Sequence, residues 1–196
     1  MNQHLPQYSL PVALEGVARR KWTSDDVLAM VRAGILGESD RIELLAGEII
    51  AMPAKGARHE IVRNELVLHW SSIRPMDIKF AEESPLKLSA NDEPEPDIIL
   101  FPSPLRVSDV TGETVLLVVE IADSSLTYDL NVKGPLYAAF GVREYWVIDP
   151  VSVKTTVHRD PSANGYRSIT ELPADALLTP SLVPLLPVIL SDLDIG

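Results

Sequence analysis

Two short apolar runs, residues 98–101 and 115–119, constrain this chain more than any other feature. Neither alternates apolar with polar residues, which is the pattern of strands covered on both faces. An acid, Asp97, opens the first run, and another, Glu120, closes the second. Burying an unpaired carboxylate costs several kcal/mol, so packing does not account for acids at these strand ends. Lys133 follows on the next element. Two acids at neighbouring strand ends with an ammonium nearby suggest a divalent-cation site, with the lysine handling an oxyanion or a water.

The rest of the chain supplies elements to flank those strands. Thr23 to Asp26 offers an N-cap and first-turn acids. Val27, Leu28, Met30, Val31 and Ile35 then form an apolar face and Gly34 a stop, predicting a helix over 24–33. Residues 41–45 and 48–52 read as strands joined by Ala46-Gly47, a hairpin signal. Ile61, Val62, Leu66, Leu68 and Trp70 recur near helical spacing and predict a long amphipathic helix over 57–73, with His59 near its start. Strands are expected over 77–82, 85–88, 114–122, 144–148, 151–159 and 166–170. A helix over 128–140 contains Gly134-Pro135, where a kink or restart is expected, and Gly141 caps it. The Pro-interrupted tail, 178–193, reads as packed coil with a short strand or turn.

At 196 residues and 46% hydrophobic content, a flexible arm over 1–20 and one globular domain over 21–196 are expected. No apolar run is long enough to span a bilayer. The first residues lack a basic start and an apolar core, unlike a signal peptide. Cysteine is absent, which removes disulfides, thiolate metal sites and a cysteine nucleophile. Together these features fit a cytoplasmic protein.

The net charge of −11 argues against a nucleic-acid partner, but its distribution softens the objection. Residues 1–80 carry ten bases and ten acids, against seven and eighteen in the remainder. Any acids that hold a metal must also be set aside. Other chemistries lack support. His4, His59, His69 and His158 show no metal-protease spacing, and no G-x-S-x-G is present.

Asp97 within PD, then Glu120 and a displaced lysine, resemble the PD-(D/E)XK restriction-endonuclease-like superfamily. The string VVEIADSSLTYDLNVKGPLYAAFGVREYWVIDP, with RIELLAGEIIAMPAKGARHE upstream, resembles the Uma-two family of proposed restriction endonucleases within it. The resemblance covers the chain from about Trp22 to its end. It implies an α/β fold with a restriction-endonuclease-like core: a central mixed β-sheet flanked by helices, with an N-terminal helix and β-hairpin. It implies metal-dependent hydrolysis of phosphodiester bonds, with Mg²⁺ or Mn²⁺ as cofactor and DNA as substrate.

By the same resemblance the carbonyl of Ile121 joins Asp97 and Glu120 as a metal ligand. The superfamily's usual lysine position, two residues after the second acid, is Ala122 here, so Lys133 substitutes from the helix. Asp129, four residues earlier, can meet it across one turn. Glu43 stands on a strand where related folds carry an additional metal-side acid, with Ile42 and Leu44 on the opposite, core face. His59 could donate to a phosphate or assist proton transfer. Asp123, Ser124 and Ser125 are expected to cap the next helix, and Tyr137, Tyr145 and Trp146 read as core or rim aromatics. Two alternatives stay open: a non-catalytic binding or regulatory protein of the same fold, and a metal-dependent hydrolase of a small phosphorylated molecule. The oligomeric state is also open, a homodimer being one option.

Overall fold

The structure, a computed structural model, describes residues 19–37 and 39–196. Apart from its last two residues, the expected N-terminal arm lies outside the described residues. Helix α1 (Ser24–Arg32) starts on a capping box, with the Thr23 hydroxyl accepting from Asp26 N–H and the Asp26 carboxylate accepting from Thr23 N–H. None of its residues is fully buried. Leu28 and Ile35, read from the sequence as part of its apolar face, are exposed.

Strands β1 (Ile42–Leu45) and β2 (Glu48–Ala51) pair antiparallel around Ala46-Gly47. Both turn residues have positive φ, 51° and 73°, the type I′ geometry that matches strand twist. The hairpin is a separate two-stranded sheet, joined to the rest by a bridge from Leu44 to Glu93.

Helix α2 (Ala57–Ile73) buries His59, Val62, Leu66 and Trp70. These positions are spaced by three and four residues and form one stripe. Ile61 and Leu68, expected on the buried face, are exposed because they fall outside that stripe.

The main sheet has six strands in the order β3 (Ile78–Glu82), β4 (Ile98–Pro102), β5 (Leu117–Ile121), β6 (Glu144–Asp149), β7 (Lys154–Ser162) and β8 (Gly165–Leu172). All its pairings are antiparallel except β5 with β6, so the sheet is mixed. A parallel pair needs a crossover. Here it consists of α3 (Leu126–Tyr128), a π-helical turn (Asp129–Lys133) and α4 (Gly134–Ala139).

Helix α2 and the C-terminal tail cover one face of the sheet, packing Leu66, Trp70, Leu186 and Leu190 against Ile98, Leu100, Val119 and Trp146. Tyr137 and Ala138 of α4 cover the other, against Ile99, Phe101, Val118 and Tyr145. Residues of both parities along β4 and β5 are therefore buried, which explains their unbroken apolar runs.

Three expected strand extents differ. The strand expected over 151–159 is β7 at Lys154–Ser162, because the Val151 and Ser152 N–H groups donate to Asp149 Oδ1 in the preceding turn. Residues 85–88 form no ladder, because Leu86 and Leu88 donate instead to the carbonyls of Pro94 and Asp92 in the following loop. Val115 precedes β5, in a turn whose N–H donates to Thr111 O. The tail contains only the two-residue pair β9 (Leu177–Leu178) with β10 (Val188–Ile189) and one 3₁₀ turn, Leu190–Asp192.

Candidate active site

Where β4 begins and β5 ends, the register pairs Ile98 with Val119. One more step along the antiparallel ladder sets Asp97 across from Glu120. Both carboxylates are buried, and both line a cavity of about 280 Å³. Glu43, Lys55, His59, Ile121, Asp129 and Lys133 also line it. The structure thus gathers Asp97, Glu120, Ile121, Lys133, Glu43 and His59, singled out in the sequence, around one space.

Each residue arrives by a local cause. Glu43 alternates along β1 with Ile42 and Leu44, and these two line a different depression beside α1. His59 is the first member of the buried α2 stripe, carried past the core to its N-terminal end.

Lys133 and Asp129 owe their placement to the π turn. Pro135 has no N–H for the ordinary helical bond, and the chain widens just before it, Gly134 N–H donating five residues back to Asp129 O. Single π turns often mark functional positions. This one leaves Asp129 and Lys133 both buried, with Lys133 Nζ 3.5 Å from Asp129 Oδ1. The kink or restart expected at Gly134-Pro135 is a restart: α4 begins at Gly134, directly after the widened turn. The helix ends as expected: Gly141, at φ 78°, lets its own N–H and that of Val142 close on Ala138 O and Tyr137 O.

Two clusters meet in the cavity. In the first, Lys133 Nζ lies 2.8 Å from Glu43 Oε1 and 2.9 Å from Glu120 Oε1. The Tyr137 hydroxyl donates to the same Glu120 oxygen at 3.1 Å, and Glu95 N–H donates to Glu43 Oε1 at 2.9 Å. Burial pushes the Glu120 carboxyl well above the usual carboxylate range; Lys133 opposes that, while Asp129, Asp97 and Glu43 add to it. Burial likewise raises Asp129 against the pull of Lys133 and the Ser125 hydroxyl. Burial disfavours the Lys133 ammonium, but Glu120, Glu43 and Asp129 outweigh it and hold the lysine charged.

The second cluster surrounds Asp97. Its Oδ1 accepts from Lys55 Nζ at 2.6 Å, and its Oδ2 accepts from Ile121 N–H at 2.7 Å and faces His59 Nε2 at 2.9 Å. Burial acts to raise this carboxyl, but His59 and Lys55 together hold it down at about 2. The residue that sequence reasoning missed is Lys55, whose ammonium also reaches Glu83 Oε1 at 2.7 Å. It sits in the irregular link before α2, where no periodicity singles it out.

Other expectations need correction. Ser125 occupies the N-cap position of α3 but makes no side-chain cap. Its hydroxyl donates instead to Asp129 Oδ2 at 2.5 Å. Tyr137 is a core aromatic whose hydroxyl belongs to the site. Tyr145 is buried likewise, and its hydroxyl supports the Asp129 carbonyl at 3.1 Å.

Comparison with known proteins agrees with this architecture. The profile of the Uma-two family, described as "Putative restriction endonuclease", matches residues 25–190. A mixed-sheet core with buried strand-end carboxylates thus falls in the restriction-endonuclease-like class, and this chain belongs to the Uma-two family within it. Among solved structures it is similar to a protein from Anabaena variabilis ATCC 29413 described as a putative nuclease belonging to DUF820. The TM-score is 0.69 at 20% identity, over 87% of this chain and 96% of that one. No curated protein matches the chain. Among the described residues, no helix is long and apolar enough to cross a membrane.

Proposed function

We propose that this protein is a divalent-metal-dependent nuclease that hydrolyses phosphodiester bonds in DNA. The charge imbalance in the cavity carries the proposal. Glu43, Asp97, Glu120, Asp123 and Asp129 line it against Arg41, Lys55 and Lys133. Asp123 is exposed, and the four buried carboxylates are bonded by only two ammoniums, Lys55 and Lys133, with His59 beside Asp97. Buried carboxylates in excess of the cations bonded to them take up protons or a cation; burial first, with neighbouring carboxylates adding to it, raises the proton affinity of Glu120 and Asp129.

The residues fit a hard cation. Asp97, Glu120 and the carbonyl of Ile121 would hold Mg²⁺ or Mn²⁺, which take oxygen ligands and keep several waters. Glu120 receives both its hydrogen bonds on Oε1, which leaves Oε2 for an ion. Among the described residues, no group of three His, Cys, Asp or Glu side chains is placed to hold a metal, so protein would contribute only part of the coordination. A bound divalent cation supplies charge neutralisation at a phosphate oxygen.

The chain's own groups do the remaining work. Lys133 Nζ, fixed by Glu43 and Glu120, offers positive charge where negative charge builds on the phosphoryl oxygens. His59 and the Ile121 N–H orient Asp97, and the Tyr137 hydroxyl orients Glu120. The test is a plasmid assay with purified protein. Nicking is expected with Mg²⁺ or Mn²⁺, not with EDTA, and not by Asp97→Asn. Equal cleavage in EDTA, or by that variant, would overturn the proposal.

A hydrolase of a small phosphorylated molecule is the second reading. It is favoured by the net charge of −11 and by the binding of Arg63 to Glu60, Glu82 and Glu83. A gel shift with DNA that weakens steeply with salt would exclude it in favour of DNA, because phosphate contacts release counter-ions.

A further inference from the structure

Three residues lining the cavity carry a buried polar atom without a hydrogen-bond partner; His59 Nδ1 faces Glu60 Oε1 at 3.3 Å, which leaves Arg41 Nη2 and the Tyr128 hydroxyl. Neither belongs to the Lys133 or the Asp97 cluster. A buried donor left without an acceptor is costly, and such groups beside a cavity mark where an ordered water or a ligand atom belongs.

The Arg41 guanidinium is anchored rather than loose. Arg41 directly precedes β1, and its Nη1 donates to Pro53 O at 3.4 Å from the far side of the hairpin. That bond leaves Nη2 unused. Tyr128 ends α3, one residue before Asp129, and its ring lies 5.8 Å from Lys133 Nζ. The phenol therefore sits beside the ammonium that the proposed chemistry uses. Both residues line the same cavity, and a guanidinium and a neutral hydroxyl are both donors, so a ligand that meets both is an acceptor with several oxygens. Burial first, then Glu43, raise the phenol to about 12 despite Lys133, so at neutral pH it donates and does not repel an anion.

We propose that Arg41 Nη2 and the Tyr128 hydroxyl form a subsite for a non-scissile phosphate of the nucleic-acid substrate, next to the phosphate at Asp97 and Glu120. This rests on the nuclease reading for the identity of the substrate, but the binding can be measured without turnover. The remaining charges facing that space are Lys55, Lys133 and the carboxylates of Glu43, Asp123 and Asp129, with Glu95 close enough to feel Arg41. An isolated anion is therefore weakly held, and a substrate anchored at two phosphates is held better. The subsite selects substrates with at least two consecutive phosphates over monoesters.

Calorimetric titration with the 5′-phosphorylated dinucleotide pTpT tests this, with inorganic phosphate as the single-phosphate arm. The wild type should bind pTpT at least tenfold tighter than phosphate. Arg41→Gln should weaken pTpT binding about ten- to a hundredfold, the cost of losing a charge-assisted hydrogen bond. Tyr128→Phe should weaken it about three- to tenfold while leaving thermal stability unchanged, because the deleted hydroxyl has no partner in the free protein.

This second variant keeps the test valid if Arg41→Gln disturbs the hairpin through Pro53. Unchanged pTpT binding by Tyr128→Phe, or no preference of the wild type for pTpT over phosphate, overturns the subsite. Selective pTpT binding that both variants weaken, with no cleavage of plasmid under any metal, leaves the subsite standing and removes the nuclease reading.

Discussion

Asp97 and Glu120 face each other across neighbouring strands, yet their surroundings are opposites. Asp97 is one acid among donors: Lys55, His59 and a backbone N–H. Glu120 is one of three acids around a single ammonium. The same burial therefore leaves one carboxyl at about 2 and lifts the other well above its ordinary range. Paired groups whose environments drive their proton affinities apart are a recurring arrangement where a site must hold charge and exchange it. In this cavity the donors around Asp97 favour its anion, whereas burial of Glu120 favours its taking up a proton or a cation.

The largest expected effect lies on the Glu120 side. Lys133→Met leaves three buried carboxylates without their ammonium and should destabilise the fold by about 3–5 kcal/mol, the usual cost of removing one partner of a buried pair. In the plasmid assay Lys133→Ala should lower turnover by about a hundredfold or more. On the other side, Lys55→Met leaves Asp97 with His59 and Ile121 N–H and should cost only about 1–2 kcal/mol. Urea unfolding of both variants measures the difference, and equal losses would dissolve the contrast.

Metal binding sharpens it next. Asp97→Ala and Glu120→Ala should each abolish measurable Mn²⁺ binding by calorimetry; if both bind like the wild type, the cation site lies elsewhere. Because a cation competes with the proton on Glu120, wild-type Mn²⁺ affinity should fall as pH drops, beginning above the ordinary carboxylate range. An affinity flat down to pH 5 would contradict the raised Glu120.

Asp97 gives a window at lower pH. Its folded value lies below the unfolded one, so its contribution is complete above about pH 4 and is lost as pH falls through about 2. That contribution is about 2 kcal/mol at order-of-magnitude precision, and Asp97→Asn should flatten that part of the acid-unfolding curve. The smallest effect is expected for Tyr137→Phe, which removes one hydrogen bond from Glu120 and should cost about 1 kcal/mol by urea unfolding.

Much of this frame was legible without coordinates, for reasons of short range. Helical spacing located α2, unbroken apolar runs located the central strands, and turn or cap glycines located the hairpin and the end of α4, because each of these signals is local to one element. The PD and long EIADSS strings pointed to the family. The errors fell where that logic stops. Ile61 and Leu68 are apolar yet exposed, since the stripe that meets the sheet is narrower than the apolar pattern. Residues 85–88 read as a strand, but a strand needs a neighbour, and their N–H groups found the adjacent loop.

By itself the sequence determined the order of elements, the doubly covered strands and the chemical identity of Asp97, Glu120 and Lys133. It determined that Pro135 would interrupt a helix, because a missing N–H is a local fact. Only the tertiary structure decided that the interruption is a widened turn bringing Lys133 beside Glu43, 90 positions earlier. It alone placed Lys55 on Asp97 across 42 positions, and left Arg41 and Tyr128 with unpartnered donors in the same cavity wall. Spacing along a chain encodes the geometry of one element. The field felt by a buried charge depends on side chains from several elements, and that sum exists only once they have packed.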